Sequence, residues 1–164
     1  MHTEKAQLVS AQSQFEAFAR DIRGQRVSSV WRGNGSALFV EVGALFADPN
    51  MKSEFGRRLI GEFGIMIEWS WRIESETSIL CASWTEENDW ERHFQSLVGR
   101  RVENLSLFAR LPELNLALEG DTYVVTFNTG GEQPEWSLFR RTPENGSFMT
   151  LHVDNGRVVE EGRP

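Results

Sequence analysis

Ile22-Arg23-Gly24-Gln25-Arg26-Val27 and Leu97-Val98-Gly99-Arg100-Arg101-Val102 are two versions of one phrase, and an alternating apolar run follows each, ending at Gly43 in the first case and Gly120 in the second. Gly24 and Gly99 share their sequence offset with Val27 and Val102, and Leu38, Val40 and Val42 match Leu114, Leu116 and Leu118 after a slip of one residue. Each version leads into a Trp-bearing strand, Glu68-Trp69-Ser70-Trp71-Arg72-Ile73 or Glu135-Trp136-Ser137-Leu138-Phe139, and then into another apolar run, Ile79 to Trp84 or Phe148 to Val153. The order of elements predicts an α+β protein, mainly antiparallel β. Two similar helix-plus-sheet halves, residues 1–84 and 85–164, are expected to pack about a pseudo-twofold into one compact unit.

Length and composition agree with this. A chain of 164 residues buries about two thirds of its unfolded surface, and with 40% apolar and 25% charged residues it reads as globular rather than disordered. No apolar run approaches the roughly 20 residues that cross a bilayer. Met1-His2-Thr3-Glu4-Lys5 lacks the basic and apolar regions of a signal peptide, so a cytosolic protein is expected. The lone Cys81, within Ile79-Leu80-Cys81-Ala82, reads as a small buried hydrophobe in a reducing compartment. Residues 1–84 carry nine basic and ten acidic groups and residues 85–164 eight and fourteen, which places nearly all of the net charge of −7 in the second half. Such a surface repels nucleic-acid phosphate and anionic lipid and attracts a basic protein partner. Solubility is the plainer explanation of the same surplus.

Leu8, Phe15, Phe18 and Ile22 form one apolar helical stripe. From Val27 the period becomes two, and Asn34-Gly35 marks a hairpin turn. Residues 44–63 have only Asp121 and Thr122 as their counterpart, and Asp48 before Pro49 offers a cap for a short helix bearing Met51, Phe55 and Leu59. Ile65, Ile67, Trp69, Trp71 and Ile73 read as one strand face turned to the core. Thr85 or Asn88 is positioned to cap a helix whose Trp90, Phe94, Leu97 and Val98 share a stripe. Strands are expected near 101–108, 113–119, 122–128, 135–140 and 147–153, followed by a short strand and loose tail from Arg157.

Taken together, Gly-x-x-Val, Trp71-Arg72-Ile73, Ile79 to Trp84, Gly99-Arg100-Arg101-Val102, Leu114-x-Leu116-x-Leu118-Glu119-Gly120 and Trp136-Ser137-Leu138 resemble a widespread family of small bacterial proteins with an internally duplicated β-rich module and no established activity. The likeness spans about residues 20–140 and implies a fold. It assigns no functional residue.

Candidate chemistry is sparse. His93 and His152 sit in no local ligand spacing, and His2 is terminal, so neither a metal nor a cofactor is expected. Cys81 with a histidine would make a nucleophile and base, but an apolar strand disfavours the thiolate. Glu68 and Glu135 precede the two Trp strands; as a pair they would suit acid–base hydrolysis, and as repeated positions they read as outward-facing strand residues. Phosphate-binding glycine motifs and the Gly-x-Ser-x-Gly elbow are absent from the sequence. Catalytic residues are therefore not assigned. Trp69, Trp71, Trp136 and Trp90 read as core, whereas Trp84 stands before the acidic stretch and reads as an interface anchor ringed by Glu86, Glu87, Asp89 and Glu91. Acids at a helix N-terminus also stabilise the helix without any partner. The expectation is a non-enzymatic protein-binding module of the immunity type that occludes a basic partner or toxin. The alternative is a small-ligand binder or hydrolase with a pocket between the halves.

Overall fold

The computed structural model describes residues 2–49, 58–130 and 135–163. Helix α1 (His2–Ile22) precedes β1 (Val27–Arg32), β2 (Leu38–Ala47), β3 (Leu59–Ile67), β4 (Trp71–Glu74) and β5 (Ile79–Ala82). A 3-10 turn, Glu87–Asp89, leads into α2 (Trp90–Leu97), and then follow β6 (Val102–Phe108), β7 (Glu113–Leu118), β8 (Thr122–Thr126), β9 (Trp136–Arg141), β10 (Phe148–Asp154) and β11 (Arg157–Arg163). The fold is α+β with antiparallel pairing throughout. One sheet runs β1-β2-β3-β9-β10-β11 and the other β5-β4-β8-β7-β6, so each takes strands from both halves of the chain.

This exchange requires a crossing that the alternation conceals. Ile65 and Ile67 belong to β3 in the six-stranded sheet, Trp71 and Ile73 to β4 in the five-stranded one, and Glu68–Ser70 bridge the two. Both inner faces are apolar, so a continuous period-two pattern survives the change of sheet, and only the corner residue escapes burial. That residue is Trp69, 57% exposed rather than in the core. The return crossing lies alongside: Glu68 N donates to Glu135 O at 2.9 Å and Phe127 N to Ser70 O at 3.2 Å.

The two repeated phrases lie side by side and exchange backbone hydrogen bonds. Gly24 N donates to Val102 O and Gly99 N to Val27 O, both at 2.8 Å, while Val27 N reaches Arg100 O at 2.9 Å and Val102 N reaches Gln25 O at 2.8 Å. Gly24 and Gly99 hold φ of +84° and +87°, which an L side chain rarely adopts. Register shifts at Val27/Ser29 in β1 and Val102/Asn104 in β6 follow the joint.

A single apolar cluster collects both inner sheet faces, Phe15, Phe18 and Ile22 of α1 and Trp90, Phe94 and Leu97 of α2. Its largest members, Trp71 and Trp136, are fully buried. Their indole N–H groups donate to Ser36 O at 2.7 Å and Pro112 O at 2.9 Å, which removes the cost of hiding a donor. α1 packs against β6, β10 and β11, whereas the shorter α2 reaches β1 and β5.

Several expectations change. Residues 44–47 and 59–63 continue β2 and β3 as strand, and Leu59 is a strand residue. The helix expected around Met51 and Phe55 lies outside the described residues, as does the Leu8 side chain. Neither Thr85 nor Asn88 caps α2: Asp89 is its N-cap and makes no side-chain capping bond. Val98 falls beyond the helix and is exposed. The expected tail from Arg157 is strand to Arg163, paired with β10 from Asp154 to Phe148.

Candidate functional site

The segment from Trp84 to Glu91 is shaped by one turn. After β5, the Thr85 hydroxyl donates to Ala82 O at 2.8 Å and Thr85 N does so at 3.0 Å, while Ala82 N is 3.3 Å from Thr85 Oγ1. These bonds satisfy the outer edge of β5 at Ala82. Trp84, inside the turn, is 78% exposed. Glu86, Glu87, Asp89 and Glu91 are all exposed. Glu87 accepts from Arg32 Nη1 at 2.7 Å and Nη2 at 3.2 Å, and that guanidinium lies 4.9 Å from the centre of the Trp90 ring. Asp89 pairs with Arg92 at 3.3 Å, and Glu91 accepts from Gln95 at 2.7 Å. Four carboxylates thus meet two arginines, and the patch stays net acidic. Ile79 and Leu80, from the apolar run before Trp84, are exposed because β5 is a sheet edge.

Next to this edge, the outer face of the five-stranded sheet carries an open groove of about 630 Å³ lined by Arg72, Glu74, Glu76, Phe108, Asn115 and Tyr123 among others. Arg72 pairs with Glu74 and stands 5.4 Å from the Phe127 ring centre. Loss of water around the Tyr123 phenol, then the carboxylates Asp121, Glu76 and Glu103, raise its pKa above the ordinary 10.0. Asn115 Oδ1 is buried with no hydrogen-bond partner.

The carboxylates singled out from the sequence do converge, but not as outward-facing strand residues. Glu135 is 6% exposed and sits at the return crossing. Burial, then the neighbouring Glu113 and Glu68, push its carboxyl above the ordinary 4.5, and its Oε2 has no partner. Glu113 is held instead: Thr126 Oγ1 donates to one oxygen and Asn128 N to the other at 2.6 Å. Sequence spacing offered no signal for Glu113, which reaches this site only through the β7–β8 pairing.

The six-stranded sheet holds a third buried carboxylate, Glu41. It accepts from Arg141 Nη1 at 2.8 Å, Gly61 N at 3.0 Å and Trp31 Nε1 at 3.2 Å. Every bond of Glu41 is internal, which makes it a structural group. A cleft of about 170 Å³ between Phe46, Ile60, Phe139 and Phe148 opens beside Arg141. Cys81 is buried, and burial raises its thiol pKa, so the thiolate is disfavoured. Among the described residues no three His, Cys, Asp or Glu side chains form a group able to hold a metal ion, and no helix is long and apolar enough to cross a membrane. Comparisons with protein-family models, with curated proteins and with solved structures return no match to this chain.

Proposed function

We propose that this chain is a non-enzymatic, cytosolic protein-binding module of the immunity type, and that it occludes a basic partner, a toxin among the candidates. The observation that carries the reading is Trp84, 78% exposed beside Glu86, Glu87, Asp89 and Glu91. A large exposed indole bordered by carboxylates is the composition of an interface anchor, and the surrounding field speeds and orients a basic partner. In this reading residues 1–84 and 85–164 are two copies of one module about a pseudo-twofold. The reciprocal Gly24–Val102 and Gly99–Val27 bonds, the strand orders β1-β2-β3-β9-β10 and β6-β7-β8-β4-β5, and the matched bonds of Trp71 and Trp136 support it.

Affinity capture with the tagged full chain tests the binding role. A stoichiometric basic protein should be retained from native lysate at low salt, weakened at high salt and lost from Trp84→Ala. Capture of nothing at either salt, or equal capture by Trp84→Ala, contradicts the proposal.

A further inference from the structure

We infer that the open groove on the outer face of the five-stranded sheet is a second contact site of the same interface, and that it receives an arginine or lysine side chain of the basic partner. The inference rests on the proposed binding role for the partner's identity, and on separate residues for its chemistry. Its lining brings the Tyr123 ring together with the Glu74 and Glu76 carboxylates and the Thr77 hydroxyl. Among the described lining residues the one cation, Arg72, is engaged with Glu74 and stands over Phe127. Asp121, Glu76 and Glu103 act on the Tyr123 phenol, so the field at the ring is negative. An aromatic face in a negative field with carboxylate nearby recognises a cation bearing several N–H donors. The groove is open along its length, unlike a pocket that engulfs a small molecule, and suits a side chain projecting from a docked protein surface.

The groove also borders the proposed anchor. Ala82 of β5 pairs with Arg72 of β4, and Glu74 pairs with Tyr123 of β8, so one sheet face runs from the β5 edge to the groove. Exposed Leu80 and Phe108 lie at its two margins.

Tyr123 is the only tyrosine in the chain, so its ring resonances report on the groove without ambiguity. The experiment is an NMR titration of the full chain with a capped pentapeptide holding two arginines among glycines, and with the same peptide carrying citrulline, which keeps the shape and loses the charge. The expected result is a saturable shift of the Tyr123 ring signals with the arginine peptide alone, roughly threefold weaker in Glu76→Gln. Ring signals unmoved by the arginine peptide overturn the inference, as does an equal response to citrulline. If Tyr123 stays silent while the full chain still captures its partner through Trp84, the groove assignment fails and the binding role survives. If Tyr123 responds while capture fails, the reverse holds.

Discussion

The outer faces of the six-stranded and five-stranded sheets are finished in opposite ways. In the six-stranded sheet the side chains cover one another. Trp31 stacks flat on Phe39 at 3.8 Å, Arg58 lies 3.8 Å from the Trp31 ring centre, and Glu41 is sealed beneath Trp31 and Arg141. In the five-stranded sheet the Arg72–Glu74 pair is partly solvated and the groove stays open. The strand centres show why. Gly64 lies between Glu41 and Phe139, just as Tyr123 lies between Ala117 and Glu74. A Cβ on Gly64 would sit 2.5 Å from Arg141 Nη2, so its absence lets the guanidinium cross β3 to reach Glu41. At the corresponding register Tyr123 lines the open groove instead. An outer sheet face must cover itself or serve as a surface, and this molecule does one on each side.

The sharpest break in the comparison comes from the buried pair. Glu41→Leu leaves Arg141, whose side chain is only 14% exposed, without its partner. Urea unfolding should register a loss of about 3–5 kcal/mol, with much of it recovered when Arg141→Leu is added. Gly64→Ala should cost less, about 1–3 kcal/mol, because the pinned guanidinium must move. A near-neutral Gly64→Ala would show that Arg141 does not need to lie across β3.

The two crossings sharpen the contrast through pH. Glu135 holds a raised pKa where the other crossing has buried Ser70. Below the ordinary 4.5 the carboxyl is protonated in both the folded and unfolded chain, and it carries no penalty. As pH rises the unfolded chain ionises first and stability falls, the full loss being reached above the folded pKa. Thermal melts of Glu135→Gln should therefore match the parent in acid and exceed it at neutral pH. A variant less stable at neutral pH would contradict the assignment of Glu113 and Glu68 as repelling neighbours. The smallest effect is expected at Arg72→Leu, about 0.5 kcal/mol or less, since both partners of that pair reach solvent.

What the sequence disclosed was mostly local. Asn34-Gly35 marked the β1–β2 hairpin, and the Trp90, Phe94, Leu97 spacing marked α2, because turns and helix stripes are encoded within a few residues. The change of sheet at Trp69 stayed hidden, since two apolar faces in succession look like one. Exposure of Ile79 and Leu80 was equally silent: edge position depends on what pairs elsewhere, not on the strand's own residues. Trp84, Glu86, Glu87, Asp89 and Glu91 are all exposed. Glu113 beside Glu135, and Tyr123 beside Asn115 and Glu76, come together only through sheet pairing.

Hydrogen–deuterium exchange on the captured complex tests the division of labour between the faces most directly. Binding to the partner should slow exchange in residues 79–91 and in β4 and β8 around the groove, leaving β2, β3 and β9 unchanged. Protection confined to the Phe39, Glu41 and Arg141 face would contradict the account.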